Sequence, residues 1–255
     1  MRGQTAAQFG GFGRPGPITM RLLIALLVIY VVQLIALRTG MEGILFLYLQ
    51  PNLVLGKGMI WQPFTSLWLH SPSDPSHLLF NGLWLYLFGT PLERWWGAKR
   101  YLWAYVIFGL GGAALTLFFG VLTYIDGIAA LFGPLYRVQT LGASGAVIGL
   151  TTAWGLVHAN ERMRFFLLGE MTGLQFVYII VGIQLLYALS FSAVSSTSHF
   201  GGIIAAWILC RGIWRPSAWK QWMRKGKLKK QRARVERELR ILEGGRRDDD
   251  PKNWN

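Results

Sequence analysis

The apolar residues of this chain run in long blocks instead of the short periodic stretches of a soluble domain, and a block of that kind belongs in hydrocarbon. A spanning helix needs about 20 predominantly apolar residues, fewer where its ends are buried in protein. Residues 22–37, 77–96, 102–124, 144–158, 174–191 and 198–213 qualify within a chain of 255 residues that is 53% apolar. The expected fold class is therefore an all-α polytopic membrane protein, a bundle of six transmembrane helices.

Basic residues stay on the cytoplasmic side of short loops, so they orient the bundle. With the N-terminus inside, all of the 26 Lys and Arg residues except Arg38, Lys57 and Arg137 fall on inside segments. Both termini are then cytoplasmic, and the expected location is a prokaryotic inner (plasma) membrane. The first block follows Arg2, Arg14 and Arg21 as a secretory signal would, yet Arg38 stands where a cleavage site should begin, so an uncleaved span is expected.

Three regions are expected: a flexible cytoplasmic tail over 1–19, rich in Gly, Pro and Gln; a six-span domain over 20–214; and a basic cytoplasmic tail over 215–255. The net charge of +14 follows mainly from topology. The C-terminal tail, with a basic helix expected over 219–243, suits contact with anionic lipid, and no nucleic acid is expected because no binding module is recognisable. Cys210 is the sole cysteine, which excludes an intrachain disulfide. No cofactor and no metal site is expected.

Between the first two spans, residues 39–76 carry Leu53, Leu55, Trp61, Phe64, Trp68 and Leu69 among Pro and Gly. That is too apolar for a solvated loop and predicts a folded external lid at the interface. The third external loop, 125–143, leads straight into a fourth span of only 144–158. At 1.5 Å per residue that span rises about 22 Å, less than a hydrocarbon core of about 30 Å, so it should start below the membrane surface. Irregular backbone at that depth is tolerated only where it is buried in protein or lines a watery cavity.

Polar side chains inside spans are costly and so mark candidate sites. Spans two, four and six all begin on the external side, which brings His77 and Asn81, Ser144, and His199 to similar depth. His77 and Asn81 are four apart and share one helix face. An imidazole and a carboxamide there suit an oxyanion hole, which must donate hydrogen bonds to a carbonyl becoming tetrahedral. Ser144 stands in Gly142-Ala143-Ser144-Gly145, at a helix start whose free N–H groups face developing negative charge. Its hydroxyl needs a base, and His199 is the candidate at matching depth. Gly145 with Gly149, and Gly202 with Ala206, form small-xxx-small pairs that allow spans four and six to approach closely. Either polar residue alone is as well explained by packing; four at one depth are not. The external carboxylates, Glu42, Asp74 and Asp126, lie outside the spans, so a Ser-His dyad is expected in place of a triad.

With these residues in place, the chain resembles the rhomboid intramembrane serine proteases from about residue 20 to 214. His77-Leu78-Leu79-Phe80-Asn81 is similar to the family's H-x-x-x-N, whose His and Asn help to form the oxyanion hole. The run from Gly89 through Glu93 to Gly97 is similar to its G-x-x-x-E-x-x-x-G at the cytoplasmic end of the second span. Gly142-Ala143-Ser144-Gly145 resembles the nucleophile motif, and His199-Phe200-Gly201-Gly202 resembles the H-x-x-G that carries the base. The resemblance implies a serine endopeptidase that cleaves transmembrane protein substrates near the external face. It also shows departures. Gln62 follows Trp61 where the family has Arg, Ala206 ends the small-residue pair after the base, and Ile148 stands where some members have an aromatic ring to stack on the base. His70 is expected to be structural in the lid, and His158 to lie at the cytoplasmic end.

The leading alternative is a catalytically silent relative that binds transmembrane clients, though such relatives typically lack the Ser or the His. A small transporter or channel would explain intramembrane His and Asn, but no inverted repeat or intramembrane acid supports it. A zinc-dependent protease lacks any H-E-x-x-H.

Overall fold

The computed structural model describes residues 7–8, 13–123, 135–165, 169–190 and 193–212, with positions 231, 235, 236 and 239 of the tail. The chain divides into two units, Met1–Cys210 and Arg211–Asn255. In the second unit the four described tail positions are helical and exposed. The expected loop over 125–143 lies outside the described residues up to 134, as do most of the C-terminal tail and much of 1–19.

Long helices occupy all six apolar blocks. They are α1 (Pro17–Arg38), a helical run made of α4 (Pro75–Trp84), one π turn (Leu85–Gly89) and α5 (Thr90–Trp96), then α6 (Ala98–Leu122), α7 (Ser144–Val157), α8 (Gly173–Ser190) and α9 (Ala193–Arg211). Among the described residues, α1 and α6 are long and apolar enough on their own to cross a bilayer. The π turn precedes Pro91, which has no N–H to offer the Leu87 carbonyl, and the helix widens locally instead of breaking.

Two differences from expectation have local causes. The structure is not wholly helical: β2 (Arg162–Phe165) and β3 (Gly169–Thr172) form an antiparallel hairpin after α7, and β1 (Ala7–Gln8) pairs with β2 in parallel. These strands fall outside the apolar blocks, β1 before the first and β2 and β3 between the fourth and fifth, where span-finding is blind. Secondly, α9 begins at Ala193, five residues before the expected start, so His199 lies in its second turn. Ser196 and Thr197 lower the hydropathy there, yet both are buried, and Thr197 Oγ1 shares a 2.9 Å hydrogen bond with Thr116 Oγ1 of α6.

Helix α1 is apolar on the outside. Ile24, Leu27, Val28, Val31, Val32 and Ile35 are exposed, whereas Thr19 and Gln33 are fully buried. In water that arrangement would cost free energy on both counts; against lipid tails it costs on neither. The inward polar groups are satisfied. Glu93 of α5 accepts from the Ile18 N–H, the Thr19 N–H and Thr19 Oγ1, each at 2.8 Å. A carboxylate thus closes the first turn of α1, where unpaired N–H groups and the helix dipole both favour negative charge. Gly89 and Gly97 bracket this Glu: a side chain at Gly89 would strike the Tyr101 hydroxyl, and Gly97 (φ 78°) makes the turn into α6.

The segment between α1 and α4 is folded. It contains a 3-10 turn (Glu42–Leu47), α2 (Pro51–Lys57), α3 (Gln62–Thr65) and a second 3-10 turn (Ser66–Trp68). Gln62 is fully buried at its centre. Its Nε2 donates to the Phe46 carbonyl at 3.1 Å, and its Oε1 accepts from the Gln50 N–H at 3.0 Å. A neutral amide does this bridging where the family pattern has Arg. Ile60, Trp61 and Phe64 stay exposed on the same segment.

Candidate active site

Gly142 sets the geometry around Ser144. Its φ of 127° belongs to glycine, its N–H donates to the Ser66 carbonyl at 2.9 Å, and Ala143 then caps α7 so that Ser144 is the first helical residue. An added Cβ at Gly142 would lie 2.8 Å from Cε1 and 2.9 Å from Nε2 of His77. The imidazole edge therefore rests on the turn that presents Ser144.

His77 lies in the first turn of α4. Asp74 caps that helix by accepting from the Ser76 N–H at 3.1 Å, and Pro75 occupies the first helical position. The Ser76 hydroxyl, also bonded to Asp74, holds this carboxyl below the usual range. The Ser71 N–H donates to His77 Nδ1 at 3.4 Å, which leaves Nε2 as the N–H donor, and Nε2 is the atom that faces Gly142. Asn81 is buried one turn on. Its Nδ2 gives one hydrogen to the His77 carbonyl at 2.8 Å and retains a second.

Behind His77 sits His70, fully buried, with ring centroids 5.1 Å apart and an edge-on contact. Burial pushes the His70 imidazole down to about 3, so it is neutral at physiological pH. Gln33 of α1 holds its backbone from both sides, donating to the His70 carbonyl at 2.7 Å and accepting from the His70 N–H at 3.1 Å. His70 thus ties the folded segment to α1. His158 ends α7 at the opposite pole of that helix, between the rings of Trp95 and Trp154.

Small residues allow α7, α6 and α9 to meet. A Cβ on Gly202 would run into the Gly145 carbonyl, and a Cβ on Gly145 would lie 2.7 Å from Ser198 Oγ. Gly145 and Gly202 are therefore partners across two helices. Gly149 instead faces α6, where a Cβ would meet Phe108 at 2.5 Å, and Ala206 is fully buried in the core.

Ser144, His199, His77 and Asn81 line one cavity of about 570 Å³, together with Phe80 and Trp84 of α4 and Ile180, Ile183, Gln184 and Tyr187 of α8. His199 bonds through Nδ1 to Gln184 Oε1 at 2.7 Å, and the Tyr187 ring stacks on it, offset, at 6.4 Å and 28°. Ser144 makes no hydrogen bond with His199 within 3.5 Å among the described residues. Neither Gln184 nor Gln33 was singled out by the sequence reading. Each was discoverable by the rule applied to His77 and Asn81, as an amide in the middle of an apolar block.

A largely apolar helical bundle that turns a serine, two histidines and an asparagine toward one open cavity fits an integral membrane protein with a polar site among its helices. Residues 57–216 match the Rhomboid domain, and the chain belongs to the rhomboid family. It is similar to the rhomboid protease GluP of Bacillus subtilis, 25% identical over 81% of this chain and 36% of that protein. It is also similar to the putative rhomboid protease YdcA of the same species, 28% identical over 62% of this chain and 69% of the relative. A third similarity is to the rhomboid protease AarA of Providencia stuartii, 27% identical over 56% of this chain and 52% of the relative. The chain thus spans about a third of GluP and about half of AarA.

Proposed function

We propose that the chain is an intramembrane serine endopeptidase with Ser144 as nucleophile and His199 as general base, six of its helical segments crossing the bilayer and both termini cytoplasmic. The observation that carries the proposal is the single cavity shared by Ser144, His199, His77 and Asn81, delivered by three helices far apart in sequence. Ser144 Oγ attacks the scissile carbonyl of a transmembrane substrate while its proton passes to His199 Nε2, the nitrogen not bonded to Gln184. The carbonyl oxygen gains the negative charge, and the donors facing it are the Ser144 N–H, His77 Nε2 and the spare Asn81 hydrogen. Collapse of the tetrahedral species breaks the C–N bond, and His199 returns the proton to the leaving amine. Water, activated by the same imidazole, then hydrolyses the acyl-enzyme. Formation of the Ser144–His199 hydrogen bond belongs to the substrate complex, since such bonds are commonly long in free enzymes.

The names of the relatives, which call them rhomboid proteases, support this reading. The phenyl and indole groups of Phe80 and Trp84 and the aliphatic chains of α8 give the cavity walls suited to an apolar segment. The basic tail is assigned to the anionic lipid of the cytoplasmic leaflet. The test is covalent labelling of the detergent-purified chain by a fluorophosphonate, combined with cleavage of a transmembrane substrate. Labelling and cleavage that vanish in Ser144→Ala and in His199→Ala are the expected result. Cleavage retained by either variant would refute the dyad, and a wild-type chain inert in both assays would favour the client-binding relative.

A further inference from the structure

A serine nucleophile is only as good as the orientation of its base. In a Ser-His-Asp arrangement an acid holds the imidazole in the correct tautomer, and losing that control costs heavily even when the groups remain in place. No carboxylate serves His199 in that way among the described residues. Asp74 lines the same cavity, but its Oδ1 is engaged by the Ser76 N–H and hydroxyl as the cap of α4. The position one turn after the nucleophile, Ile148, carries no ring to stack on the base.

The fifth apolar block supplies what those positions lack. Gln184 is only 8% exposed on a helix whose other cavity-facing residues are Ile180, Ile183 and Tyr187. A buried amide in that setting is costly unless it is hydrogen-bonded, and its Oε1 lies 2.7 Å from His199 Nδ1. A carbonyl oxygen only accepts, so the bond requires the proton on Nδ1 and leaves Nε2 bare, which is the form able to take a proton from Ser144. Tyr187, three residues on, lays its ring beside the imidazole plane. The hydrogen bond fixes the tautomer.

We infer that Gln184 is a positioning residue for His199, holding the general base in its Nδ1–H tautomer from α8. This rests on the reading of Ser144 and His199 as a catalytic pair, but the tautomer is measurable without any catalysis. The chain has four histidines, so a ¹⁵N-histidine spectrum of the full-length protein in detergent resolves the Nδ1–H and Nε2–H forms, with His199→Ala identifying the signal. Wild type is expected to show His199 protonated on Nδ1. Gln184→Leu, similar in size but unable to accept, is expected to lose that preference and to lower kcat on the order of tenfold, the factor one ordinary hydrogen bond is worth, with KM little changed. Gln184→Glu keeps an acceptor and is expected to restore both the tautomer and the rate. The signals of His70, His77 and His158 report whether each variant is folded. An Nε2–H tautomer at His199 in the wild type would overturn the inference. So would an unchanged His199 signal in Gln184→Leu, or equal loss of rate in Gln184→Leu and folded Gln184→Glu. A chain that shows the expected tautomers but cleaves nothing would instead refute the protease reading and leave the Gln184 bond standing.

Discussion

Removing the Glu93 carboxylate should loosen α1 from the rest of the protein, whatever the protein does. Glu93 is 4% exposed and accepts three hydrogen bonds, from the Ile18 N–H, the Thr19 N–H and Thr19 Oγ1. In Glu93→Ala the two backbone donors lose their acceptor, and a buried donor left unpaired costs about 1–3 kcal/mol. The Thr19 hydroxyl retains Tyr101 Oη at 3.2 Å and adds little to the loss. The sum is about 2–6 kcal/mol. Glu93→Gln keeps one accepting oxygen and the side-chain volume, so it should cost about 1–3 kcal/mol, including the lost charge at the helix start. At about 2–4 °C per kcal/mol for a domain of this size, the Ala variant should unfold roughly 10 °C below wild type in detergent, with Gln between them. Thermal unfolding followed by circular dichroism, with Ser144→Ala as a neutral reference, measures this. Both Glu93 variants unfolding within 1 °C of that reference would refute the capping argument.

Two further outcomes are expected. If Asn81 and His77 donate to the oxyanion, Asn81→Ala should reduce kcat by on the order of 10² with little change in KM, and the His77→Ala, Asn81→Ala double variant should reduce it further. Steady-state kinetics on a transmembrane substrate decides this, and weakened binding at unchanged turnover would assign the pair to substrate gripping instead. His70 should make the folded segment acid-sensitive. Its imidazole is held down to about 3 when folded, against an ordinary value of about 6.5, so its contribution is complete above pH 6.5 and is lost as pH falls toward 3. The unfolding temperature of wild type should therefore drop more between pH 7 and pH 5 than that of His70→Leu; equal slopes would place the acid sensitivity elsewhere.

Among the described residues, hydropathy alone pointed to the long helical segments in the six apolar blocks, because an apolar block in lipid can satisfy its backbone only within itself. Motif spacing likewise pointed to four of the residues that line the cavity, Ser144, His199, His77 and Asn81, since His77 and Asn81 share a face by helical periodicity and the nucleophile candidate stands two residues after Gly142, whose φ no other residue adopts comfortably. The start of α9 at Ala193 was not legible, because Ser196 and Thr197 read as polar sequence until the partners that accommodate them in the core are known. The three-stranded sheet escaped for a related reason: a pairing between Ala7–Gln8 and the hairpin after α7 joins segments over 150 residues apart. The identity of the groups around each functional side chain was also a tertiary matter. That Glu93 closes α1, that Gln33 grips His70, that Gly145 meets Gly202 while Gly149 meets Phe108, and that Gln184 bonds to His199 all depend on which helix faces which. A sequence displays what each helix carries and at what depth, because rise and periodicity are properties of a single strand of backbone. The rotation of each helix about its own axis and its choice of neighbour are settled only by simultaneous packing, which no one helix contains.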